Sequence, residues 1–433
     1  MRRRLAAVAK TRAEFPTNRV EQLLIMAAVS IMPLEAWLPQ IGGFGIMYLL
    51  FAVQAAYLFS QRPECVRRVW QHPVFVTVYI FLSFGYLREF GHSNSDYYEI
   101  FRILQNFVGA VFLASLCRDR KALQSAMYGY LIVGVYTSYV LFGSSYSALS
   151  GATAFDYGDG DRLRAQVFEE NPLETNLNAL AFFAAQGAGV AMALALTCTS
   201  TFRRYAFLGV GLACIVGSFL PMSRGGVIIL AGICATVMLG YGLNRGKTIA
   251  VGLLLVAALA IWVPKAVFSR LAFSTETDEY GRMEGRAALY TAFFHHLPEV
   301  ALTGVGRGNF WGQWGKQSSY GNSKGLVSGA HNIFFQLTLY WGLPAAFGLL
   351  AICWQAYRCL PGRYGDDGLA IAILCIGVSL LLWSMQVHNL YDKAFALGLG
   401  LLVGAHRWIW SPAPAVPMPQ RARNSFRPVP RHA

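Results

Sequence analysis

Apolar runs of about 20 residues, each long enough to cross a hydrocarbon layer about 30 Å thick, recur from Val20 to Trp410. Nothing else in the chain restricts its fold as much. Backbone inside lipid has no water to bond to, so each run must close its own hydrogen bonds as a helix; the alternating segments of a membrane barrel are absent. Only 13% of the 433 residues are charged and 55% are hydrophobic. A water-soluble domain carries about 25% charged residues. The expectation is an all-α polytopic membrane protein with about 12 transmembrane helices.

The first five spans are read at Val20–Leu38, Phe44–Ser60, Pro73–Leu87, Ile100–Cys117 and Ala122–Phe142. A modest polar loop, 143–175, follows. Four more spans lie at Leu177–Cys198, Tyr205–Pro221, Gly225–Tyr241 and Thr248–Val263, so that 20–263 holds nine. A longer polar segment, 264–332, is read as partly helical. The last three spans, in 333–410, are Ile333–Ala356, Leu369–Met385 and Ala394–Trp410. The Pro- and Arg-rich tail 411–433 is expected to be disordered.

The net charge of +14 has an address. Arg2, Arg3, Arg4, Lys10 and Arg12 precede the first span, in a basic N-terminal segment 1–19. If that end is inside, alternate connections are inside too. These hold Arg62, Arg67 and Arg68; Arg118, Arg120 and Lys121; Arg203 and Arg204; Arg245 and Lys247; and Arg358 and Arg363. Short inside loops rich in Lys and Arg set orientation. The charge is therefore assigned to topology, and no nucleic-acid partner is expected. Both termini are expected in the cytoplasm, and no cleavable signal peptide is read. All eight cysteines fall in spans or inside loops, where thiols stay reduced.

This topology sets one turn apart. "PMSRGG" places Arg224 at the outer end of a helix pair, between Pro221 and the pair Gly225 and Gly226. An arginine there can simply snorkel to headgroups. It can also form an anion site, with Ser223, Gly225 and the N-terminus of the next helix beside a guanidinium. The same outer side carries an amphipathic helical pattern from Met283 to about His296, and Arg282 and Arg286, four apart, share one face, which can also be simply solvated. "SGAHNIFFQL" adds His331 and Asn332, a general base or hydrogen-bond donor. The first loop holds Arg162 and Arg164, and "HNLYDKAF" a further outer polar residue, Asp392. "TGVGRGNF" is only loosely like a phosphate loop and lacks the P-loop lysine. "FDYGDGD" reads as an ordinary polar loop, and no cofactor is expected.

In order, "NPLETNLNALAFFAA" with Asn178, the Ser-Arg-Gly-Gly turn, "GRAALYTAFFHHLPEVALTGVGRGNF" and "HNIFFQLTLYWGLPAA" resemble the O-antigen ligase and polymerase superfamily over about Asn171–Leu350. The resemblance implies a GT-C-like helical arrangement and a metal-independent glycosyltransferase. It implies a donor glycan on undecaprenyl diphosphate, a lipid A–core acceptor, and an active site facing the periplasm from the bacterial inner membrane, among its lipids. It assigns functional roles to Arg224, Arg286 and His331. Two guanidiniums suit a departing diphosphate, and an imidazole, with an ordinary pKa of about 6.5, suits a base at neutral pH. Ligase is the first expectation, and a polymerase extending the lipid-linked repeat is the alternative. A transporter or flippase would need paired charges at mid-membrane and broken helices in matching halves; apart from Arg102 and Glu99, the polar residues cluster at the outer ends.

Overall fold

The computed structural model describes residues 16–32, 45–90, 97–151, 160–173, 176–240, 286–307, 309–310, 331–360, 367–386 and 392–409. Within them every regular element is a helix. The expected ninth span, Arg282, the acidic "FDYGDGD" loop up to residue 159 and the C-terminal tail lie outside the described residues, as does most of the N-terminal segment.

The apolar runs become α1 (Arg19–Ile31), α2 (Ile46–Gln61), α4 (Pro73–Phe90), α5 (Tyr97–Leu116) and α6 (Arg120–Gly151), with a short amphipathic α3 (Pro63–Trp70) in the basic connection before α4. Pro63 starts α3 where a missing N–H costs nothing. Helix α6 continues beyond the expected end at Phe142 through "GSSYSALSG", with the Ser144 hydroxyl donating back to the Val140 carbonyl at 3.0 Å. A further short helix, α7 (Gly160–Glu169), occupies the first polar loop. Then come α8 (Leu177–Thr197), α9 (Thr201–Phe219), α10 (Arg224–Gly240), α11 (Arg286–Val300), α12 (Ile333–Trp341), α13 (Leu343–Tyr357), α14 (Gly368–Ser384) and α15 (Lys393–Ile409). Among the described residues, four helices, α4, α6, α8 and α9, are at least 18 residues long and apolar enough to cross a membrane, and six shorter apolar helices accompany them. This is a membrane protein. Leu87, Tyr139, Leu212 and Phe347 point outward from the bundle, as lipid-facing side chains must.

Helix α8 is the axis. Its Ala- and Gly-rich sequence is buried on nearly all sides by α6, α9, α10 and α14. Small residues let helix backbones approach closely where lipid supplies no hydrophobic drive, and Gly187 lies directly against Gly134 of α6. A polar contact also crosses this core, Gln186 Nε2 donating to Ser379 Oγ of α14 at 2.9 Å, worth about 0.6 kcal/mol in such a setting.

The end of the bundle bearing the basic loops is locked by one carboxylate. Glu21 is fully buried and accepts from the Asn18 amide at 3.0 Å, Tyr57 Oη at 3.1 Å, Arg62 Nε at 3.3 Å and an Arg118 guanidinium nitrogen. Removing one partner of such a buried pair costs about 3–5 kcal/mol. Arg120 and Asp367 close the same end at 3.0 Å.

The expected single span Ile333–Ala356 is interrupted. Gly342 takes φ +84° and splits it into α12 and α13. The reason is the "TGVGRG" segment, which docks on the break: Val305 and Gly306 donate their N–H groups to the Leu339 and Tyr340 carbonyls at 2.8 and 2.9 Å, and Leu343 donates to Ala301 at 2.7 Å. A Cβ on Gly304 (φ +64°) would lie 2.4 Å from the Tyr340 carbonyl oxygen, and one on Gly342 2.6 Å from that of Leu302. Those amides serve the helix break, so the glycines are not a phosphate loop. The fully buried Glu89, at the end of α4, accepts from the Arg307 amide and from Trp341 Nε1 at 2.8 Å, and Arg88 donates to the Thr303 carbonyl. Sequence reasoning did not mark Glu89; its signal is an acid at the last turn of an apolar helix.

Candidate functional site

Pro221 ends the α9 segment, and the chain reverses through Met222 before α10 begins at Arg224. Met222 has φ +52°. Ser223 is buried and caps α10, its Oγ accepting from the Gly226 N–H at 3.1 Å. The Arg224 side chain is exposed on the first turn.

Two sets of residues grip this turn. From one side Arg164 of α7 donates to the Pro221 carbonyl and, at 2.9 Å, to Asn178 Oδ1 in the first turn of α8. From the other side comes Gln386, just past α14. Its Nε2 donates to the Gly225 carbonyl at 3.4 Å, and a Cβ on residue 225 would fall 1.9 Å from its Oε1. A side chain at position 225 would therefore push the Gln386 amide off its present place. The preceding residue, Met385, offers its carbonyl to Asn332 Nδ2 at 3.5 Å. Asn332 in turn caps α12, accepting from Phe334 and Phe335 N–H at 2.9 and 3.3 Å. So the two-residue turn Met385–Gln386 ties the residue after Arg224 to the residue after His331.

His331 has φ +49°. Among the described residues it and Met222 are the non-glycine positions with positive φ. Such a conformation costs about 1–3 kcal/mol and persists only where surroundings impose it; such residues cluster at functional sites. Here the N-cap bonds of Asn332 fix the chain immediately after His331.

Helix α11 approaches the same region. Phe293 stacks on Phe335 at 4.0 Å, and Tyr290 meets Phe335 edge-on at 5.1 Å. Phe335 lies in the first turn of α12, so α11 begins near the His331 end. Arg286 is the first residue of α11, one turn before Tyr290. The side chains of Arg286 and Arg162 lie outside what is described, and Arg162 is placed only as part of α7. Asp392 caps α15, accepting from the Ala394 N–H at 2.9 Å.

Of the expected residues, Arg164, Asn178, Ser223, Arg224, Gly225, His331 and Asn332 thus belong to one connected group. Gln386 joins them unforeseen. The available signal was a lone amide directly after an apolar helix and just before "HNLYDK".

Residues 209–350 match the O-antigen ligase family model, Wzy_C. The likeness to the O-antigen ligase superfamily thus rests on a segment running from α9 through the Arg224 turn, α11 and His331 into α13. Arg164, Asn178, Gln386 and Asp392 stand outside it; Arg164 and Gln386 bond directly to the Arg224 turn, and Asn178 joins it through Arg164. A comparison with curated proteins gives no match.

Proposed function

We propose that this chain is an O-antigen ligase that transfers a glycan from undecaprenyl diphosphate to a sugar hydroxyl of lipid A–core, without a metal. In this reading both termini are cytoplasmic, the Arg224 end of the bundle opens to the periplasm from the inner membrane, and 264–332 is the periplasmic catalytic segment of a GT-C-like arrangement of about 12 spans. The observation that carries it is the tie from the Arg224 turn to the His331 position through Met385 and Gln386.

The chemistry follows from charge. The donor is already activated. Its C1–O bond to the diphosphate breaks with the electron pair leaving on oxygen. The added negative charge falls on Arg224 and Arg286, whose planar forks can hold phosphate oxygens bidentately. Stabilising charge at a preorganised site usually lowers such a barrier more than any other effect. The acceptor hydroxyl oxygen forms the new bond to C1 and gives its proton to His331. Attack opposite the leaving group inverts the anomeric centre. Ser223, Gly225 and Asn178 shape the turn that presents Arg224; Asn332 positions His331; and Arg282, Arg162, Arg164 and Asp392 are assigned to substrate binding.

A polymerase that extends the lipid-linked repeat uses the same steps. It is favoured by one feature, the contact of Arg164, from the first loop, with the Arg224 turn. Deleting the gene and running surface polysaccharide on a gel separates the two. Loss of all glycan on lipid A–core, with long lipid-linked chains remaining, supports the ligase. A single attached repeat supports the polymerase. An unchanged pattern removes both.

A further inference from the structure

At the end of the bundle opposite Arg224, three side chains from three separate elements converge. His72 lies in the turn between α3 and α4, Cys359 two residues beyond α13, and His406 near the end of α15. Their ligand atoms, one from each, all lie within 4.8 Å of one another. Cys359 is buried at 3% exposure, and the two imidazole rings meet edge-to-face at 5.7 Å. We propose that His72, Cys359 and His406 bind a zinc ion that clips the α3–α4 turn to the ends of α13 and α15. The inference stands apart from the transferase reading and concerns the other face of the protein.

Ligand chemistry selects the ion. Two imidazoles and a thiolate, with no carboxylate, suit zinc and exclude calcium and magnesium, which take oxygen ligands. Zn–N bonds of about 2.0 Å and Zn–S bonds of about 2.3 Å place the tetrahedral N and S ligands roughly 3.3–3.5 Å apart, so small side-chain rotations close the present spacing. A water takes the fourth position.

Two local bonds change on binding. The Cys359 thiol now donates to the Gln355 carbonyl at 3.3 Å, and burial pushes it up to about 12, against a smaller lowering from Arg358. Coordination breaks the S–H bond. The sulfur pair goes to zinc and the proton to water, since a coordinating thiol is deprotonated outright. His72 Nδ1 now accepts a long 3.3 Å contact from the Val74 N–H. Binding through Nε2 moves the ring proton to Nδ1 and gives that contact up.

The test uses full-length protein in nanodiscs with its purification tag removed. After exposure to zinc and desalting, metal analysis should find about one zinc per chain, with little left in Cys359→Ser or His406→Ala. Cobalt in place of zinc should give a thiolate-to-metal charge-transfer band that Cys359→Ser lacks. Wild type that keeps no zinc, or a His72→Ala/Cys359→Ser/His406→Ala triple variant that keeps as much as wild type, overturns the proposal. Should the variants prove unstable, cobalt-loaded wild type without the charge-transfer band overturns it alone.

Discussion

Arg164 Nη2 donates to Asn178 Oδ1 at 2.9 Å, binding a helix of the first loop to the first turn of the central helix α8. The same guanidinium holds the Pro221 carbonyl, three residues before Arg224. This arginine braces the turn that carries Arg224. Arg164→Ala should lower transfer about tenfold or more, an effect of at least about 1.4 kcal/mol on the barrier. Arg164→Lys, which keeps charge but loses the fork, should fall between. Transfer measured beside thermal stability checks this; activity loss without any loosening of the turn, read as unchanged protease sensitivity near Pro221, would argue for direct substrate contact instead.

Gly225 and Gln386 are coupled by geometry. Gly225→Ala places a methyl carbon where Gln386 Oε1 lies, so the amide must swing off the Gly225 carbonyl. The expected result is reduced transfer with a stability loss of about 1 kcal/mol, the size of one hydrogen bond. Gln386→Ala removes the clash. In the double variant the two losses should therefore be less than additive by about 0.5 kcal/mol or more. Full additivity would mean that the two residues do not communicate.

His331 separates backbone from chemistry. Its left-handed conformation is tolerated by asparagine and costly for a β-branched residue. His331→Asn should express and melt like wild type yet transfer nothing, whereas His331→Val should lose about 1–3 kcal/mol as well. Normal transfer by His331→Asn would remove the general-base role.

Asp119 gives a pH dependence at the other end. Burial alone would raise its carboxyl, but N–H donors from Ala122 and Thr17, both at 2.9 Å, outweigh that and hold it below the usual value. A depressed folded pKa contributes stability that is complete above the unfolded value of about 3.9 and is lost as pH falls through the lower folded value. Asp119→Ala should therefore be less stable near neutrality by about 1 kcal/mol, as for a lost helix cap. The gap should close in acid, as followed by thermal melts across the pH range. A gap that widens in acid would reverse the assignment.

Helices were readable where one physical rule dominated. Length and apolarity placed α8 and α14 within a residue or two, because lipid leaves a backbone no other choice. Where docking decides, the reading failed. The break at Gly342 depends on amides from Val305 and Gly306. The residue types at the candidate site, an arginine before two glycines and a histidine before an asparagine, were legible as chemistry. Their assembly was not: Gln386 meets Gly225 across 161 residues, and Glu89 meets Arg307 across 218. Zinc-type ligands at 72, 359 and 406 share no local spacing, so no motif announces them.

Reconstituted transfer tests the central claim most directly. Purified protein in proteoliposomes, in buffer free of magnesium, manganese and calcium, is given an undecaprenyl-diphosphate-linked glycan and lipid A–core. Wild type should move the glycan onto the core and release undecaprenyl diphosphate, while Arg224→Ala and Arg224→Lys, correctly inserted, should release none. Equal release by Arg224→Lys, or no transfer by wild type with both substrates present, would contradict the account.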